Sequence, residues 1–212
     1  MNGAKMFSLL SNNRNNYITR VRGTVRSLQD LAKVRPLYDL CPDARHNLEL
    51  VEADLTEEKS WIEAVKGCTY VHHVASPFPS VSPTDEDDVI GPAVAGTLRV
   101  LRAAAKDGGV RRVMLTSSCV AVGLCGGNTH PFTENDWTDL SNKYITAYAK
   151  SKHLAERAAW DYVKELPHDE KFELAVVNPA FVLGPPATKS SGTSISVRSN
   201  ELPSHLVNKS GA

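Results

Sequence analysis

Long apolar runs are missing from this 212-residue sequence. None approaches the roughly 18–20 residues that a membrane span needs, so no spanning helix and no membrane partner are expected. An excess of either charge is missing too. Lys+Arg and Asp+Glu are each 24, a formal net charge of zero. That argues against a protein that binds nucleic acid through a global basic field. Paired cysteines are missing: Cys41, Cys68, Cys119 and Cys125 are scattered, with no CxxC. Residues 1–10 hold one lysine and a short apolar stretch, too little for the core of a secretion signal. The thiols are therefore read as reduced and the protein as cytoplasmic. Metal-ligand spacings are missing as well. Cys119 and Cys125 lack partners at such spacing. His72 and His73 are strand neighbours that face opposite sides, so no metal site is expected. The sequon at Asn208-Lys209-Ser210 carries no meaning in a cytosolic chain.

What the sequence has is alternation. Residues 21–26 (VRGTVR), 48–54 (LELVEAD), 70–75 (YVHHVA), 112–118 (RVMLTSS) and 174–183 (LAVVNPAFVL) read as strands. Between them, residues 28–40, 57–66, 89–106 and 146–164 show helical spacing. Thr56 is placed as an N-cap. Pro92 falls near the start of the third helix and Gly108-Gly109 just past its end. The acidic run 85–88 leads into that helix, where negative charge is favourable. Strands and helices in turn imply crossovers on a parallel sheet. Near-continuous apolar strands agree, because such a sheet is covered on both faces. The fold class expected is α/β.

Two features could carry chemistry. Tyr148 and Lys152 stand four apart in a helix and so share a face. An ammonium near a phenol favours the phenolate, which suits general acid–base work. Alone, the YxxxK spacing is also met by a solvated lysine beside a half-buried tyrosine. Ser118 ends an apolar strand, where open parallel sheets bind ligands. Its hydroxyl could hydrogen-bond a carbonyl oxygen as charge grows there, or simply cap the next helix.

Taken in order, the segments Thr24-Val25-Arg26, Ala53-Asp54-Leu55, Gly67-Cys68, His73 to Pro77, Val110 to Val113, Thr116-Ser117-Ser118, Tyr148 with Lys152, and Asn178-Pro179 through Gly184-Pro185 carry a likeness. Over residues 20–186 the chain resembles the extended short-chain dehydrogenase/reductases (NAD-dependent epimerase/dehydratase family). The branch it looks most like is that of dihydroflavonol 4-reductase and cinnamoyl-CoA reductase. The resemblance implies a Rossmann-like, doubly wound sheet. It implies Ser118, Tyr148 and Lys152 as the catalytic set, with Lys152 also holding the nicotinamide ribose. It implies cofactor contacts from Asp54, Leu55, Val74, Ala75, Pro77 and Pro179. Arg26 stands where an acid would read the ribose of NAD. Arginine there suits a 2′-phosphate instead, and Lys33 resembles a second basic contact. NADP(H) is therefore preferred over NAD(H).

One departure bears on function. Members begin with a strand and a Gly-rich turn that brings backbone N–H groups to the pyrophosphate. Residues 1–17 hold a single glycine, Gly3, and no GxGxxG. They read as an atypical replacement for the first strand and turn. Residues 1–186 are then an incomplete dinucleotide-binding domain. Residues 187–212 are an irregular remnant of a substrate region that is largely absent. The expectation is a chain shortened at both ends, derived from an NADPH-dependent reductase of aldehydes or ketones, with impaired activity. Two alternatives stand beside it. One is a sugar-nucleotide epimerase/dehydratase or hydroxysteroid dehydrogenase of the same family. The other is an inactive fragment acting only through protein association. Monomer and homodimer are both left open.

Overall fold

A computed structural model of the chain describes residues 20–40, 42, 44–78, 83–123 and 131–180. Within them, strands and helices alternate. The order is β1 (Arg22–Val25), α1 (Leu31–Tyr38), β2 (Glu49–Glu52), α2 (Glu58–Val65), β3 (Tyr70–His73) and α3 (Asp87–Asp107). Then follow β4 (Arg112–Thr116), the single turn α4 (Cys119–Val122), α5 (Ala147–Glu165), a 3-10 turn at His168–Glu170 and β5 (Glu173–Val177). The strand pairs are parallel. β1 lies beside β2, from Arg22 opposite Glu49 to Val25 opposite Glu52. β4 lies between β3 and β5, with Val113 facing Val71 on one side and Leu174 on the other. Parallel neighbours require a crossover, and the helices supply it, as the alternation implies. Among the described residues no ladder joins β1 to β3. The replacement segment 1–17, the tail 187–212, Cys41, Cys125 and the Gly184-Pro185 turn lie outside the described residues.

Several boundaries differ from the sequence reading, each for a local polar reason. The second helix is capped at Glu57, not Thr56. Asp54 is the cause: its Oδ1 accepts from the Thr56 amide (2.8 Å) and the Thr56 hydroxyl (2.6 Å). That curls the chain into an Asx turn before the helix begins. The first helix starts late, at Leu31, because the Leu28 amide donates to the Glu52 carboxylate (2.7 Å) instead. The last strand stops at Val177 rather than running to residue 183. Asn178 leaves the ladder, and Pro179 has no N–H to give. α3 begins at Asp87, so Pro92 lies inside the helix rather than at its entry. Its far end is as expected: Gly108 adopts a left-handed φ of 68°, a conformation that favours glycine.

α3 and α5 make the most extensive helix pair of the fold. Most of the residues they bury are small. Ala93, Gly96, Thr97, Val100, Ala103 and Ala104 are buried on α3, and Ala147, Ala149, Ser151, Ala155 and Ala159 on α5. Short side chains let helix axes approach closely. The core continues through Ala53, Trp61, Val65, Leu101, Val113, Leu115 and Phe172. At Gly96 the approach is limiting. A Cβ there would stand 2.9 Å from Leu55 Cδ2 and 3.1 Å from Leu55 Cβ. The Leu55 carbonyl also accepts from Arg99 Nη1 at 2.7 Å, which ties the turn after β2 to α3. Gly96→Val should therefore overpack this contact and lower stability by about 1–3 kcal/mol. Urea unfolding of the two chains checks it; equal midpoints would mean that the Leu55 turn yields freely.

Candidate active site

β4 delivers Ser117 and Ser118 to the carboxyl end of the sheet. The Ser117 amide donates to the Val177 carbonyl at 2.8 Å. Ser118 then caps α4, its Oγ accepting from the Val120 amide at 3.4 Å. Neighbouring segments hold α4 in place. The Cys119 amide donates to the Pro179 carbonyl (3.0 Å), and the Thr138 hydroxyl donates to the Val120 carbonyl (2.8 Å). Thr138 follows Trp137, whose ring meets the His153 ring (5.2 Å) and the Arg157 guanidinium (4.8 Å). Ser118 is thus fixed as well as buried.

α5 delivers the other two. Thr146 caps it, accepting from the Ala149 amide at 3.2 Å. Tyr148 falls in the first turn and Lys152 in the second, on one face. The Lys152 side chain is buried, and its Nζ donates to the Thr116 carbonyl at 3.4 Å. It lies 5.9 Å from the centre of the Tyr148 ring. Phe78, beyond β3, meets that ring edge-on at 4.9 Å. Burial pushes the Tyr148 phenol up from its ordinary 10, and a hydrogen bond with Ser118 pulls it back. Cys119 adds a smaller upward push. Burial lowers Lys152 itself from 10.5 to about 8, with Glu156 opposing.

Behind this trio lie further buried polar residues, Thr97 and Glu156 among them. Ser117, Thr97, Thr116, Lys152 and Glu156 line a small cavity of about 10 Å³. The buried Ser117 Oγ has no hydrogen-bond partner among the described residues. Glu156 is 4% exposed. Its Oε2 accepts from Asn178 Nδ2 at 2.8 Å and its Oε1 from Trp160 Nε1 at 3.4 Å. Asn178 Nδ2 also donates to the Ser118 carbonyl at 3.2 Å. Extending the spacing of four from Tyr148 through Lys152 arrives at Glu156, a signal present in the sequence. His73 is buried and edge-on to Trp61, while His72 is exposed, as strand alternation requires.

The remaining candidates cluster at other strand ends. Arg26 directly follows β1 and is exposed. Lys33, on α1, is exposed and paired with Asp30 at 2.6 Å. The Asp54 carboxyl is held low by its Thr56 hydrogen bonds, and Arg26 adds a smaller pull. Leu55 packs on Gly96. Val74, Ala75 and Pro77 follow β3, and Pro179 follows β5. Arg26, Asp54, Val74, Ser118 and Pro179 therefore each fall within two residues of the carboxyl end of a different parallel strand. In open α/β sheets that edge is where ligands bind.

The sequence pattern of the NAD dependent epimerase/dehydratase family matches residues 3–200. The chain belongs to that family. Its curated relatives include a dihydroflavonol 4-reductase of Arabidopsis thaliana, 40% identical over 180 residues, which are 82% of this chain and 46% of that protein. A cinnamoyl-CoA reductase of Medicago truncatula is 39% identical over 173 residues, 78% of this chain and 51% of that protein. This member of the family thus spans about half the length of the curated relatives it matches. Among solved structures, Gre2 of Candida albicans in complex with NADPH superposes with a TM-score of 0.74 at 29% identity, covering 92% of this chain and 61% of that one. Vestitone reductase from alfalfa (Medicago sativa) gives 0.70 at 27% identity, covering 92% and 58%. These likenesses bear out the Rossmann-like fold and the reductase branch read from the sequence.

The buried histidine yields a pH dependence. Burial, then Lys152, pushes His73 from 6.5 down to about 4. Between those values the unfolded chain binds the extra proton, so stability rises with pH. The contribution is complete above pH 6.5 and is lost as pH falls towards 4. The Asp30, Asp54 and Asp139 carboxyls, held below 3.8, act lower still. His73→Phe keeps a ring against Trp61 and should flatten the urea midpoint across that window. A midpoint that falls equally in both chains would remove His73 as the cause.

Proposed function

We propose that the chain carries the dinucleotide-binding and catalytic part of an NADPH-dependent reductase that turns an aldehyde or ketone into an alcohol. One observation carries the reading: Ser118, Tyr148 and Lys152 meet beyond the carboxyl end of β4, and a candidate residue follows the carboxyl end of each of the five described strands. The kinship with dihydroflavonol 4-reductases and cinnamoyl-CoA reductases supports the carbonyl substrate. The fold shared with an NADPH complex supports the cofactor.

The donor set suits that cofactor. Arg26 offers an exposed guanidinium beyond β1, a planar fork matched to a phosphate. Lys33 is the weaker candidate, because Asp30 already engages its ammonium. Asp54, Leu55, Val74, Ala75, Pro77 and Pro179 would line the dinucleotide, and Lys152 would reach the nicotinamide ribose. When bound, NADPH supplies the hydride that goes to the carbonyl carbon. Ser118 donates a hydrogen bond to the carbonyl oxygen as negative charge gathers there. Tyr148 gives that oxygen its proton. Ser118 also bonds the phenol oxygen, so it orders the acid and the substrate together. Phe78 packs edge-on against the Tyr148 ring.

Tyr148→Phe should cut carbonyl reduction by about 10²- to 10⁴-fold while NADPH binding, read by fluorescence, persists. Turnover retained in that variant overturns the mechanism. Arg26→Ala should weaken NADPH about tenfold, as expected of one charge-assisted phosphate contact, and leave NADH unaffected. Equal losses for both cofactors would place Arg26 away from the 2′-phosphate.

A further inference from the structure

We infer that Glu156 is a positioning residue for this site. Its carboxylate orients Asn178, and through it the Ser118 backbone, and it stands as the buried negative charge one turn beyond Lys152. The inference rests on the reductase reading for its consequence, not for its geometry.

A carboxylate this deeply buried requires partners. Glu156 has the Asn178 amide and the Trp160 indole. The Asn178 NH₂ group has two protons and two acceptors, Glu156 Oε2 at 2.8 Å and the Ser118 carbonyl at 3.2 Å. A flipped amide would set its oxygen against both of them. Glu156 therefore dictates which way Asn178 faces, and Asn178 grips the point where the chain leaves β4 for α4. Removing the carboxylate frees the amide, and with it the carbonyl of the residue proposed to touch substrate.

The second role is electrostatic. Lys152 is faced by Tyr148 and Glu156 on its own helix and by His73 from β3. α3 contributes Thr97 to the shared cavity, and β4 contributes Thr116 and Ser117. His73 is neutral above about pH 4. Glu156 brings the carboxylate to this group. Its charge opposes the burial that drives Lys152 to shed its proton.

The two roles separate by substitution in the full 212-residue chain. Glu156→Gln keeps an oxygen for Asn178 and removes the charge. Asn178→Ala keeps the charge and cuts the link to Ser118. Lys152 is followed by ¹³Cε-lysine NMR through alkaline pH, its signal assigned by loss in Lys152→Arg. The Ser118 region is followed by backbone amide exchange at Ser117 to Cys119. In Glu156→Gln the Lys152 midpoint should fall by about one pH unit, as for removal of a nearby opposite charge. Glu156→Asp should restore it. In Asn178→Ala that midpoint should hold while exchange at Ser117 to Cys119 quickens at least tenfold. An unmoved Lys152 midpoint in Glu156→Gln overturns the electrostatic role. Unchanged exchange in Asn178→Ala overturns the positioning role, and that variant decides alone should Glu156→Gln fail to fold. Neither readout needs NADPH or turnover. A wild-type chain that reduces no carbonyl would count against the reductase reading and leave both of these outcomes standing.

Discussion

An ammonium taken out of water governs the arrangement around it. Lys152 sits with its side chain almost wholly buried, where a cation is disfavoured unless its surroundings answer it. The Thr116 carbonyl answers with a lone pair, Glu156 with a charge and His73 by giving up its proton. Each answer then constrains another part of the structure. Glu156 recruits Asn178 and Trp160. Asn178 recruits the Ser118 carbonyl. A neutral His73 can pack edge-on against Trp61 in the core.

That burial depends in turn on how closely two helices can lie. α3 and α5 present alanine, glycine, serine and threonine to each other and to the sheet. Larger residues at those positions would lift α5, and Lys152 with it, away from β4. The same compactness brings the Leu55 turn onto Gly96. One packing layer therefore links the stability of the fold to the placement of candidates at the ends of β2 and β4.

Much of this was legible in the sequence, because the patterns involved are local. Alternating apolar runs and helical spacings identified the strands and helices that the structure contains. The spacing from Tyr148 to Lys152 and the strand end at Ser118 identified the trio. Local patterns also misled where neighbours competed. Thr56 looked like a cap until Asp54 took both its amide and its hydroxyl. The pair of Tyr148 and Lys152 is visible in sequence, whereas the burial that raises the phenol is not. The contacts of Asn178 are hidden for a similar reason. Its partners Ser118 and Glu156 lie 60 and 22 residues away; the parallel ladder of β4 and β5 brings the first close and the packing of α5 against β5 the second.

The cap on α5 has a consequence beyond holding the helix. Thr146 sets the first helical residue at Ala147, which leaves Tyr148 inside the opening turn, with its side chain leaning back towards the amino end. Unpaired N–H groups give that end about half a positive charge. The backbone dipole therefore favours negative charge on the phenol oxygen wherever the side chains leave it wanting. An identical Tyr–Lys pair one or two turns deeper in the helix would lose this field, since it fades within the first turn.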